Sequence, residues 1–131
     1  MQKAEYNLEK GTGSTRVCLW ARYLGEGLLV YLYNDNAHLG AVAVSEFDPK
    51  EKRASSSVIT LLGHKDDEVA REAAHLICKQ TRKPVCVIAG IHVDKITHQE
   101  ITDILANASS IVQDYLEIKG GQPQLASDPG Q

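Results

Sequence analysis

Three histidines stand where apolar runs begin or give out: His38 in NDNAHLGAVAV, His64 in SSSVITLLGHKDD and His92 in PVCVIAGIHVDKI, the last followed by Asp94. Imidazole donates, accepts or ligates near neutral pH, so this set admits three readings. With Lys65, Lys95 and the free amides of glycine loops and helix starts, it could hold a small anionic ligand such as a phosphate. With Asp94, it could hold a hydrolytic zinc, which takes three protein ligands and a water. The third reading is a set of unconnected polar strand ends. HExxH and HxxxH spacings, a GxGxxG or GxxxxGK run and a GxSxG elbow are all missing, so the ordinary zinc, nucleotide and serine-hydrolase signatures are unsupported.

The elements that must position these residues follow from periodicity. Arg16 to Leu24 alternates, with Val17, Leu19, Ala21 and Tyr23 opposite Arg16, Cys18, Trp20 and Arg22, the period of a strand. Gly25-Glu26-Gly27 reverses the chain. Leu28 to Tyr33 is apolar on both faces, which suits a strand covered twice or lying against a partner subunit. Asn34-Asp35-Asn36 is a turn, His38 to Glu46 a third strand, and Asp48 to Arg53 a charged loop before a fourth strand over Ser55 to Leu62.

A helix is predicted over Asp66 to Lys83, burying Val69, Ala73, Leu76, Ile77 and Gln80, with Asp66, Asp67 and Glu68 complementing its dipole. Pro84 stops it and starts a fifth strand, Val85 to Ile91. Thr97 and Glu100 form a capping box for a second helix to Ile118, whose inward face carries Ile101, Ile104, Leu105, Ala108, Ile111, Val112 and Tyr115. Residues 1–13 read as a lead-in loop, 14–118 as the folded domain and 119–131 as a disordered tail.

The fold class is therefore α/β: a mostly antiparallel sheet of five or six strands packed with two helices. Alternating strand directions bring His38, His64, His92, Asp94 and the Gly11–Ser14 loop to one end of that sheet. Strand order stays open at this point.

Other chemistry-bearing residues have simpler readings. His75 and His98 read as surface or capping residues, and Ser55-Ser56-Ser57 as a polar strand entrance at the far end. Trp20 reads as packing under a helix or at a dimer interface, with stacking on a flat ligand as the alternative. Cys18, Cys78 and Cys86 are odd in number and lie among apolar neighbours, so buried thiols are expected rather than disulfides.

With 131 residues the chain suits one domain with a proper core. A net charge of -3 offers no basic field for a nucleic acid backbone. No apolar stretch approaches the roughly 20 residues of a membrane span, and the start lacks a signal-peptide pattern, so a cytoplasmic location is expected.

HLGAVAV (38–44), SSSVITLLGHKDDEVAR (55–71) and AGIHVDKITHQEI (89–101) together resemble the LpdD-like prenylated-flavin chaperone family, which includes the small accessory subunit of gallate decarboxylase. That family is similar in fold to proteasome assembly chaperones three and four. The resemblance implies a small dimeric accessory protein that binds reduced prenylated FMN and hands it to a UbiD-type decarboxylase, catalysing nothing itself. By their places in the matching motifs, it implies cofactor contact for His38, Gly40, His64, Lys65, His92 and Asp94. Two rivals remain beside it: a metal- or histidine-dependent small hydrolase using the same rim, and a protein assembly chaperone without a cofactor.

Overall fold

The computed structural model describes residues 5–61 and 66–121. In chain order its elements are β1 (Glu5–Lys10), β2 (Val17–Leu24), β3 (Gly27–Tyr33), β4 (Ala41–Asp48), β5 (Arg53–Thr60), α1 (Asp67–Thr81), β6 (Val85–Gly90) and α2 (His98–Gly121), with one 3-10 turn at Gly13–Thr15. The six strands make one sheet in the order β1-β2-β3-β6-β4-β5. Among these strands, β3 and β6 pair in parallel and the other neighbours are antiparallel.

Strand alternation assigns the two faces. Val17, Leu19 and Ala21 of β2 are fully buried, and the β2–β3 register sets Leu19 against Leu32 and Ala21 against Val30 on the same side. Val85, Val87, Ala41 and Ala43 continue that buried face across β6 and β4. α1 covers β4, β5 and β6, and α2 covers β1 and β2. The opposite face, with Trp20, Leu29, Tyr31, Ile88, Val44 and Ile59, has no helix over it among the described residues.

Local signals account for the connections. Gly25 sits at φ +59° in the two-residue β2–β3 loop, where a type II′ hairpin places glycine first. The Asp48 carboxylate accepts hydrogen bonds from the Lys50 and Glu51 amides at 2.9 and 3.2 Å, closing the charged β4–β5 loop. Thr97 and Glu100 form the expected capping box, Glu100 N–H donating to Thr97 Oγ1 at 3.1 Å and Thr97 N–H to Glu100 Oε1 at 2.9 Å.

Several expectations are corrected. The lead-in contains an edge strand, β1, whose Tyr6 is buried against Tyr115 of α2 with ring centroids 5.5 Å apart. The strand order, left open by periodicity, places β6 between β3 and β4. β4 starts at Ala41, so His38 lies in the loop before it.

α1 buries Ala70, Ala73, Ala74, Ile77 and Cys78, while Gln80 faces solvent; its small residues let the helix sit close to the sheet. Its end is set by Arg82 in the left-handed region at φ +60°, ahead of Pro84. On α2, Ile101 and Leu105 are exposed rather than inward, and the helix runs on to Gly121. The rest of the expected tail lies outside the described residues. Among the described residues no helix is long and apolar enough to cross a membrane.

Candidate functional site

The register brings the strand ends together. Lys10 pairs with Val17, Cys18 with Tyr33, Tyr33 with Gly90, and Ala41 with both Ala89 and Thr60, so the outer end of every strand lies on one rim. The starts of α1 and α2 follow β5 and β6 at the same rim. His38 and His92 enter it from the β3–β4 and β6–α2 loops.

His38 is held by backbone crossing and by a carboxylate. Its carbonyl lies over Gly90 so closely that a Cβ at Gly90 would overlap it. Its Nε2 stands 3.4 Å from Oδ2 of Asp66, the buried residue that precedes α1. Asp66 Oδ1 also accepts from the Ile91 amide at 3.4 Å, tying the start of α1 to the end of β6. Gly40 donates its N–H to the Ala89 carbonyl at 3.0 Å, and a Cβ there would overlap the Asp66 carboxylate. The structure thus gives Gly40 a packing reason to be glycine.

His92 is clamped through its backbone. The buried Asn34 side chain donates Nδ2–H to the His92 carbonyl at 2.8 Å and accepts the His92 N–H at Oδ1 at 3.2 Å. With the main chain fixed at both groups, the ring faces outward, and its Nε2 meets Asp94 Oδ1 at 2.9 Å. The His38 and His92 rings then meet edge to face, with centroids 5.6 Å apart and planes at 88°. Two histidines 54 positions apart in sequence therefore share one mouth, each with a carboxylate behind it.

Below His38, on the helix-free face, lies a hollow of about 280 Å³ bounded by Trp20, Leu29, Tyr31, His38, Leu39 and Ile88. Tyr31 stacks on Tyr33 with centroids 4.6 Å apart and planes at 20°, and its hydroxyl reaches the His38 carbonyl at 3.5 Å. Burial pushes the Tyr31 phenol up, Tyr33 and Asp66 adding to the effect, so it stays a neutral hydroxyl. A smaller cleft of about 160 Å³ lies between α1 and α2 on the other side of the sheet, with Glu68 and Glu72 in its wall.

The remaining candidates divide. His64 and Lys65 lie outside the described residues. Lys95 is exposed and turns the β6–α2 loop at φ +51°. The Gly11–Ser14 loop reaches the rim but packs on α2: Ser14 Oγ donates to Glu100 at 2.7 Å, and a Cβ at Gly11 would overlap Asn107.

At the opposite end, Ser56 lies 2.6 Å from the buried Ser45 and 3.4 Å from His75 Nδ1. That pairing ties β4, β5 and α1 together, and no carboxylate pairs with His75 among the described residues. Burial pushes the thiols of Cys18, Cys78 and Cys86 up. Among the described residues, no three His, Cys, Asp or Glu side chains gather as a metal set.

Sequence reasoning missed two residues. Asp66 read as a charge at a helix start and is His38's partner; Asn34 read as a turn residue and is the clamp on His92. An Asn in a turn beside a histidine loop is too common a signal to have singled it out.

A mostly antiparallel six-stranded sheet with two helices on one face places the chain in the α/β class. The fold is similar to that of a chain in the structure described as "Crystal Structure of a Novel Chaperone Complex for Yeast 20S Proteasome Assembly", with a TM-score of 0.58 and 14% identity, covering 90% of this chain and 97% of that one. At that identity the likeness is one of fold alone. Residues 11–119 match the prenylated flavin chaperone LpdD-like domain, and the chain belongs to that family. No curated protein matches the sequence. Membership supports a chaperone role in handling a prenylated flavin.

Proposed function

We propose that this chain binds reduced prenylated FMN and delivers it to a UbiD-type decarboxylase, working in the cytoplasm as a homodimer and catalysing nothing itself. The observation that carries the reading is the His38–His92 pair at the mouth of an apolar hollow, in a chain of this family. A carried flavin offers a hydrogen-bonding ring edge, a phosphate tail and an apolar added ring, so it calls for an apolar cleft with a few convergent polar groups. The residues present fit that demand.

His38 and His92 supply hydrogen bonds to the ring edge, and Asp66 and Asp94 fix the orientation of the imidazoles. Gly40 keeps the loop close enough to Asp66 for that contact. Lys65, in the segment leading to α1, is assigned to the phosphate, and His64 to the pocket with His38 and His92. The second subunit is assigned to the uncovered sheet face on the β4–β5 side, where Val44 is 50% and Ile59 70% exposed.

The test loads the protein anaerobically with reduced prenylated FMN and mixes it with apo-decarboxylase. Activation should be faster than with the same concentration of free flavin. Equal activation with and without the protein overturns delivery, and a monomer mass by light scattering removes the dimer.

A further inference from the structure

The hollow on the helix-free face is separate from the polar rim in its chemistry. Trp20 pairs across the sheet with Tyr31, and Tyr31 with Ile88, so three side chains from β2, β3 and β6 stand in one row. Neighbouring strands lie about 4.8 Å apart, so the row spans about 10 Å, the long dimension of a fused three-ring aromatic. Leu29 extends its floor, and Leu39, 52% exposed, stands at its edge. Apart from the indole N–H, the Tyr31 hydroxyl and His38, the side chains around it are hydrocarbon.

Size and charge narrow the occupant. Whole small-molecule sites run roughly 300–1,000 Å³, so a hollow of about 280 Å³ takes a ring system and leaves a tail outside. His38 is the one residue common to the hollow and the histidine pair, so a tail leaving past it enters the histidine mouth. The cleft between α1 and α2 is the poorer choice: it is smaller, and Glu68 and Glu72 repel an anion. The stacking of Tyr31 on Tyr33 sets the aromatic floor before any ligand arrives, which lowers the ordering cost of binding.

We infer that the fused ring system of the carried ligand stacks on Trp20 and Tyr31 in this hollow, under Leu39, with its polar edge at His38. The inference rests on the flavin reading above and adds that the sheet face, and not only the strand rim, is the binding surface.

The experiment titrates the full chain anaerobically with reduced prenylated FMN, measuring bound ligand by ultrafiltration and following the emission of Trp20, the chain's sole tryptophan. Leu39→Arg, a change at an exposed loop residue, should weaken binding about tenfold or more, as should Tyr31→Ala, with emission quenching shifted in parallel. Leu105→Arg, in the α1–α2 cleft, should stay within about twofold.

Wild-type affinity in both Leu39→Arg and Tyr31→Ala overturns the hollow while leaving the flavin reading intact. A loss confined to Leu105→Arg moves the site to the helical cleft. Absence of binding to the unaltered chain ends both the inference and the reading beneath it. Should Tyr31→Ala fail to fold, Leu39→Arg decides alone.

Discussion

On the helix side of β3, Leu28, Val30 and Leu32 are sealed beneath the helical layer, while on the other side Leu29, Tyr31 and Tyr33 of the same strand stay only partly covered. The two faces are about equally apolar and differ in what lies on them. One face is explained by folding: its residues belong to the continuous core that α1 and α2 close. The other gains no comparable cover from the described residues, and it bears the aromatic row, the hollow and exposed Val44 and Ile59. Hydrophobicity left uncovered in the monomer points to binding.

The largest expected difference between the faces is in stability. Leu32→Ala, at a fully buried position, should cost about 3 kcal/mol or more in urea unfolding. Ile59→Ala, on the uncovered face, should cost less than about 0.5 kcal/mol in dilute protein. Equal losses would break the comparison, because both faces would then serve folding.

Gly40→Ala sharpens it at the rim, where the two functions meet. Its Cβ would push into the Asp66 carboxylate and the Ala89 carbonyl, so a loss of about 2 kcal/mol in the same assay is expected, together with weaker flavin binding. Lost stability with unchanged binding would make Gly40 a packing residue only.

Thr97→Ala, at the start of α2, should cost about 1 kcal/mol, the usual effect of losing such a cap. Glu100 in that box is held below the ordinary glutamate range, chiefly by the Thr97 backbone N–H and then by the Ser14 hydroxyl. The folded state therefore binds this proton less tightly than the unfolded one. The box contributes above the ordinary glutamate range, and its contribution is lost as pH falls through the lowered value. Melting followed from about pH 5 to about pH 3 should show a smaller acid-induced drop in Glu100→Gln, which lacks the titrating carboxylate, than in the unaltered chain.

The smallest effect on stability is expected for His92→Ala. Its ring is half exposed and its backbone is held by Asn34, so the melting temperature should barely move. Binding of reduced prenylated FMN should fall about tenfold. A large drop in melting temperature with binding intact would assign His92 to the scaffold.

The sheet, the two helices and the common rim were legible because alternation, caps and strand direction are local properties. The order of strands was not, since the parallel pairing of β3 with β6 joins segments more than fifty residues apart and periodicity says nothing about neighbours. β1 escaped notice because Tyr6 and Leu8 are outnumbered by charged and polar residues in EYNLEK. The buried stripe of α1 was legible at Ala73 and Ile77 and in the partly covered Val69 and Leu76, but not at Ala70 and Ala74, whose hydrophobic signal is weak. At the site, the histidines and Asp94 stood out by residue type. Asp66 and Asn34 did not, because their roles depend on which loop crosses which strand end.

The most direct measurement of flavin carriage is an anaerobic titration of the full chain with reduced prenylated FMN, beside plain reduced FMN. Saturable binding of the prenylated form is expected, about one ligand per chain and about tenfold tighter than the plain form. Absence of saturable binding by either form, with capture of a protein partner intact, would contradict flavin carriage and leave an assembly chaperone without a cofactor.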